Sequence, residues 1–250
     1  MSEQPAHEIA IHENLAHNLE RLEDVIASSC RAANRARSDL ELVAVSKNHP
    51  AEALVAAVEL GLSVFGENRV QEFAAKSVEL SAAGVRGRMR AHLIGHLQSN
   101  KAAKAVEVFD AIDSVDSLRL AERLDEAAGR IGKRLPVLLE IKLSPEESKA
   151  GLEPDSAELA ELLEKLPSLI NLEAQGLMTI APLDVPDDET HACFRALRLL
   201  RDRLAAEYPR LNLPVLSMGM SGDFPLAIAE GATRIRVGTA LFGARPGYPK

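Results

Sequence analysis

Tryptophan is absent from the 250 residues, and aromatic side chains make up only 3% of them. Sheet sandwiches and base-stacking surfaces draw on aromatics, so both fit poorly, and the core has to be built from Ala, Leu, Val and Ile. A basic excess is also missing. The net charge of −8 has the wrong sign for a duplex-DNA binder, which displaces counterions with a basic face. The two cysteines, Cys30 and Cys193, lie far apart and form neither a metal pattern nor a disulfide framework, which points to a reducing compartment. No apolar run approaches the ~20 residues of a membrane span. Met1–Ala10 is acidic and polar where a signal peptide would be basic and then apolar. A cytoplasmic protein without a nucleic-acid or membrane partner is expected. The paired carboxylates of glycosidases, a Gly-x-Ser-x-Gly elbow and a Walker loop are missing as well.

What the chain has is alternation. An amphipathic helix is expected over Ile9–Arg37, with Ile11, Leu15, Leu19, Leu22 and Ile26 at helical spacing. Short apolar runs then recur at Glu41–Ser46, Ser63–Gly66, Ala91–Gly95, Val108–Asp113, Pro136–Ile141, Asn171–Met178, Pro214–Ser217 and Arg234–Val237. Helical segments such as Ala51–Leu60, Val70–Ser81, Ser117–Gly129, Asp155–Leu166 and Glu189–Glu207 separate them. Asp155 and Asp187 stand where N-caps belong, and Gly61 and Gly129 where helices stop. Eight strands at a repeat of roughly 28 residues predict a single-domain (β/α)₈ barrel of TIM type spanning residues 1–250, with 1–38 a helical segment packed on it. An open doubly-wound sheet is the alternative, but at that width it leaves two edges to protect.

Chemistry in such a barrel sits at the C-terminal ends of the strands, and unusual polar residues fall there. Lys47 closes the apolar run Leu42–Ser46; partial burial lowers a lysine toward the neutral, nucleophilic amine. Taken alone, a strand-end lysine more often just snorkels to water. The loops after strands seven and eight change that balance. Leu216–Asp223 offers two hydroxyls and two glycines, and Arg236–Ala240 offers a glycine, a hydroxyl and backbone N–H groups opening a helix, the usual place for a phosphate in a barrel. Arg236 alternates with Ile235 and Val237, so it points into the barrel or across its mouth, either toward a ligand or into an ion pair with Glu67 or Glu140. His92 and His96 are four apart on a strand, about 13 Å from each other, too far to share a metal. A partly buried, hydrogen-bonded His92 is the expectation. The polar segment Lys142–Gly151 reads as a lid over the mouth, with Lys149 near a ligand anion, or as a plain surface loop.

The runs Val43-Ala44-Val45-Ser46-Lys47, Phe65-Gly66-Glu67-Asn68, Val70-Gln71-Glu72, His92-Leu93-Ile94-Gly95, Leu97-Gln98-Ser99-Asn100-Lys101, Lys149-Ala150-Gly151, Gly176-Leu177-Met178, Leu216-Ser217-Met218-Gly219-Met220-Ser221 and Arg236–Gly243 resemble the pyridoxal phosphate homeostasis proteins. They fall in that family's order from about Leu42 to Arg245. The resemblance implies fold-type III binding of pyridoxal 5′-phosphate (PLP), related to the barrel domain of alanine racemase. It makes Lys47 the Schiff-base lysine and sets Arg236 against the pyridine nitrogen. Ser217, Gly238 and Thr239 would hold the phosphate, and Asn68, His92 and Met218 would line the pocket. Two positions depart from the family. Its usual Ser-Lys-Thr-Lys-Pro is Ser46-Lys47-Asn48-His49-Pro50 here, and its Gly-Glu-Asn-Tyr is Gly66-Glu67-Asn68-Arg69.

The same resemblance bears on turnover. Racemases with this barrel add a β-domain carrying a tyrosine base, and racemisation needs an acid/base on each face of the substrate. Here Lys250 follows soon after the eighth strand, and the two tyrosines are Tyr208 and Tyr248. The expectation is a non-catalytic, monomeric PLP-binding protein that supplies PLP to apo-enzymes, with a small PLP-dependent amino-acid racemase as the alternative.

Overall fold

Short apolar strands that alternate with alanine- and leucine-rich helices bury both sheet faces only in a parallel arrangement. A computed structural model, which describes residues 4–144, 146 and 150–244, shows that arrangement closed into a ring. The strands are β1 (Glu41–Val45), β2 (Val64–Glu67), β3 (Arg90–Leu93), β4 (Ala111–Val115), β5 (Leu135–Glu140), β6 (Leu172–Met178), β7 (Val215–Ser217) and β8 (Arg234–Val237). Each pairs with the next, and β8 returns to β1 with Glu41 opposite Arg234 and Val43 opposite Arg236. The helices are α1 (Gln4–Ala32), α2 (Ala51–Glu59), α3 (Val70–Ala82), α4 (Ala102–Val108), α5 (Leu118–Arg130), α6 (Ala157–Lys165), α7 (Asp187–Glu207), α8 (Phe224–Ala229) and α9 (Thr239–Phe242). Leu15, Leu22, Ile26 and Cys30 of α1 are buried in the same core as the barrel residues.

Alternation along each strand sorts the side chains into two compartments. Ala44, Phe65, Ile112, Leu139, Leu177, Leu216 and Ile235 face outward and join the helices in one apolar shell. The inner face is partly ionic. Near the N-terminal end, Arg234 bridges Glu41 (Nε to Oε2, 2.7 Å) and the fully buried Asp113 (NH1 to Oδ2, 2.9 Å), and His92 Nδ1 lies 3.2 Å from Asp113 Oδ1. Burial alone would raise the Asp113 carboxyl; His92 and Arg234 together overcome that and hold it down at about 2. Above this layer Val43, Val45 and Ile94 meet around Gly66, where a Cβ would come within 2.9 Å of Ile94 Cδ1.

Element boundaries differ from the sequence expectation in instructive ways. The first helix ends at Ala32 rather than Arg37, because Asn34 adopts φ +55° and Arg35 N–H turns back to Cys30 O. The fourth strand begins at Ala111, since Val108 closes α4 and Phe109 is drawn inward against Phe73, ring centroids 4.9 Å apart. Asp155 is not a cap: Ser156 is, its Oγ accepting from Leu159 N–H at 3.2 Å. Asp187 lies in the first turn of α7, after Pro186 at the cap position. Gly61 does stop α2, at φ +91°, but Gly129 lies inside α5 and the left-handed glycine beyond it is Gly132. Among the described residues, no helix is long and apolar enough to cross a membrane.

Candidate functional site

Lys47 lies in the turn beyond β1, half-buried. Both of its chain neighbours are pinned from outside the barrel. Ser46 donates its hydroxyl to Glu67 Oε1 (2.8 Å), and Asn48, at φ +63°, donates its N–H to Glu72 Oε1 (2.7 Å). Lys76 of α3 ties these together, its Nζ reaching Ser46 O at 3.0 Å and Glu67 Oε1 and Glu72 Oε1 at 2.8 Å each. Glu67 is wholly buried; burial pushes its carboxyl up, against the opposing pull of Lys76. The inner-face alternation of Val43 and Val45, continued by two residues, brings Lys47 to the barrel mouth.

Across the seam, the loops after β7 and β8 bring backbone N–H groups together. Gly238 and Ala240 both direct backbone N–H groups at Ser221 Oγ, over 3.3 and 3.4 Å. Bonds that long are weak and are readily exchanged for a charged acceptor. A Cβ at Gly238 would sit 3.2 Å from Val45 O, so the backbone of β8 approaches β1 closely at this point. Gly219, at φ +92°, leaves no room for a Cβ, which would fall 2.6 Å from that of Ala227. Arg236 is buried and donates to Ser217 Oγ and Thr179 O, both at 2.8 Å. These neutral acceptors leave its positive charge uncompensated by a direct ion pair among the described residues.

Opposite this side lies a cavity of about 550 Å³, lined from β2, β3, β5 and β6 by Asn68, Ile94, His96, Glu140, Lys142 and Ile180 among others. Gly95 admits Asn68 to it, because a Cβ there would strike Asn68 O at 2.6 Å. Burial lifts the Glu140 carboxyl to about 7, with Asp116 adding to the rise and Arg236 and His96 opposing it.

Residues 12–246 match the family described as alanine racemase, N-terminal domain. A pyridoxal phosphate homeostasis protein of Haemophilus influenzae is 38% identical over 233 residues, covering 93% of this chain and 96% of that one. Its namesake in Escherichia coli is 39% identical over 235 residues, 93% and 97% of the two chains. The chain belongs to the pyridoxal phosphate homeostasis protein family. PipY of Synechococcus elongatus, whose structure was solved with PLP bound, superposes at a TM-score of 0.81 with 47% identity, covering 92% of this chain and all of that one. An alanine racemase of Clostridium difficile shares the fold at 17% identity and a TM-score of 0.69, with 58% of its length covered.

Within this homeostasis-family barrel the candidate residues separate by depth. Lys47, Arg236, Gly238 and the exposed Thr239 gather where β1 meets β8, and Asn68 lines the cavity one strand further on. His92 is held deeper, by Asp113. Met218 points into the apolar shell, and Ser217 is a buried partner of Arg236. Ser221, from the same run of sequence, is the hydroxyl that reaches the Gly238–Ala240 N–H groups. Hydroxyl spacing alone did not separate it from Ser217. Lys76 and Glu140 were not legible as site residues, although the Glu72–Lys76 spacing of four on a helix was a visible signal. His49, one of the departures, is buried with its ring 5.1 Å from that of Phe242, and Arg69 is exposed at the start of α3. The ends of the 142–151 segment are tied by Lys142 N–H to Leu152 O and Leu152 N–H to Glu140 O; Lys149 lies outside the described residues.

Proposed function

We propose that this chain binds pyridoxal 5′-phosphate through Lys47 and serves to hold and deliver the cofactor rather than to turn over a substrate. The observation that carries the reading is the meeting of Lys47 with the Gly238–Ala240 N–H donors and Arg236 across the β1–β8 seam. The donor set suits the group: the N–H groups of Gly238 and Ala240, weakly engaged by Ser221, would donate to a phosphate, and the buried Arg236, which stays protonated, would keep a ring nitrogen beside it unprotonated. PLP, when bound, supplies an aldehyde that bonds reversibly to amines and a ring that withdraws electrons. Lys47 would provide the amine, Ser221 would release the Gly238 and Ala240 N–H groups to the phosphate, and Asn68 would line the pocket. Lys76, Glu67 and Glu72 hold the Lys47 backbone in place.

The carrier reading is supported by the placing of Tyr208, which packs at the end of α7 against the apolar shell, away from the strand ends that carry Lys47. We further propose a single domain over 1–250, a monomer in the cytoplasm, and PLP-dependent apo-enzymes as recipients. The purified protein should show an absorbance band at the visible edge, and borohydride should fix the cofactor's mass on Lys47. Binding and band that both survive Lys47→Ala overturn the assignment. Rapid exchange of an amino acid's Cα hydrogen in deuterated buffer overturns the carrier role.

A further inference from the structure

At the end of the barrel opposite Lys47, β6 begins before its neighbour does. It pairs with β5 from Leu172 onward, but with β7 only from Gly176, opposite Val215. Gln175 is also bulged out of the β5 register, since Ala174 pairs with Val137 and Gly176 with Leu138. Among the described residues no backbone hydrogen bond crosses from 211–214 to 172–175. An extended backbone with an open edge is a template for another strand. That edge, the turn before it and the run leading into β7 line a cavity of about 690 Å³, the size of an ordinary ligand pocket. Leu166, Leu169 and Leu211 make part of the wall aliphatic. Ile170 lines it too and is 77% exposed, more than any other large apolar side chain among the described residues. The lining carries two arginines, Arg134 and Arg210, against one carboxylate, Glu173. Arg134 lies 3.6 Å from Glu173 Oε2, and Gln175 Nε2 donates to Glu173 Oε1 at 3.1 Å. Arg210 has no ion pair among the described residues.

We propose that this groove docks an extended acidic segment of a partner protein. The segment adds as a short strand along 172–175, seats an aliphatic side chain against Ile170 and Leu211, and sets carboxylates against Arg134 and Arg210. Backbone hydrogen bonds would supply affinity in such a complex, and the side-chain pocket and the charges would supply selectivity. A second copy of this chain fits the groove less well, because among the described residues every strand is closed into the barrel. The inference goes beyond the cofactor role and needs neither Lys47 nor PLP.

The test is fluorescence anisotropy of short labelled peptides titrated with the full chain. The probes are a blocked peptide with valine between threonines and a glutamate at each end, its counterpart with lysine at each end, and the glutamate peptide with methylated backbone nitrogens. The glutamate peptide should bind. The lysine peptide should bind about tenfold more weakly or worse, although a net charge of −8 draws cations. Methylation, which removes the ladder donors, should cost about as much. Arg210→Gln and Ile170→Ser alter exposed side chains, so the fold should survive, and each should weaken binding about fivefold. Hydrogen exchange of the wild-type chain locates the event without a variant: the amides of 173–175 should gain protection on binding, and those beside Lys47 should not. No binding of the glutamate peptide, equal binding of the lysine or methylated form, or protection confined to other segments overturns the proposal. Displacement by octanoate at the concentration that unlabelled peptide requires overturns it as well, in favour of a small amphipathic acid.

Discussion

Replacing Lys76 by Met tests the idea that an ion pair outside the barrel holds the reactive lysine inside it. The Lys76 side chain is 9% exposed and that of Glu67 is 0% exposed, with 2.8 Å between Nζ and Oε1. Removing one member of such a pair costs about 3–5 kcal/mol, because the other charge stays buried without compensation. At ~2–4 °C per kcal/mol for a chain of this size, the melting midpoint should fall by roughly 6–20 °C. The loss should depend on pH with a definite sign. Burial already raises the Glu67 carboxyl, and Lys76 is the main opposing influence, so the substitution lifts it further. A carboxyl whose folded pKa exceeds its unfolded value gives stability that is lost as pH rises through the folded pKa. The variant should therefore lie closest to wild type at the acid end of the range and fall further from it as the pH rises. Melts of wild type, Lys76→Met, Glu67→Gln and the double variant complete a cycle whose coupling should exceed about 1.5 kcal/mol. A midpoint unchanged at every pH, or a coupling near zero, refutes the reasoning.

Three further outcomes are expected. Gly238→Ala brings a methyl 3.2 Å from Val45 O, so PLP titrated by its absorbance should bind about tenfold more weakly, a loss of ~1.4 kcal/mol, with the melting midpoint moving little. Gly176→Ala would place Cβ 1.9 Å from Val215 O; β6 and β7 cannot then pair, and the soluble yield should collapse. Asp113 is held at about 2 against an ordinary 3.8, so its share of stability is present above pH ~4 and lost as the pH falls through the folded value. Acid titration of Asp113→Asn followed by circular dichroism should show a correspondingly flatter loss between those limits than wild type.

The barrel was legible because each strand carries a short apolar run and each mouth residue follows one. Lys47, Asn68 and Arg236 are placed by strand position alone, and strand position is what a period-two pattern reports. Side-chain depth is not. Ser217 and Ser221 are both hydroxyls in one loop, and only the fold shows that the first turns to Arg236 and the second to the Gly238–Ala240 backbone. Met218 sits beside them in sequence and on the opposite face in space. Lys76 lies on a helix, and only the fold shows that the Glu67 carboxylate at the end of β2 draws it in. Glu140 stands out only once the fold buries its carboxyl at the end of β5. Boundary shifts at Asn34 and Phe109 have local causes, a left-handed residue and a buried ring, that hydrophobic spacing does not encode.

The pairing of β1 with β8 sets a schedule as well as a shape. Val43 lies opposite Arg236 and Ala44 opposite Val237, so residues from the two ends of the chain meet at the mouth. During synthesis Lys47 leaves the ribosome long before Arg236 and Gly238, and a contact of that sequence separation forms late. Until the last strand docks, the nascent chain carries a lysine with no anion cradle beside it. On the proposed function, competence to capture a phosphorylated aldehyde arrives together with barrel closure, and a chain that stalls before its eighth strand should leave the cofactor pool untouched.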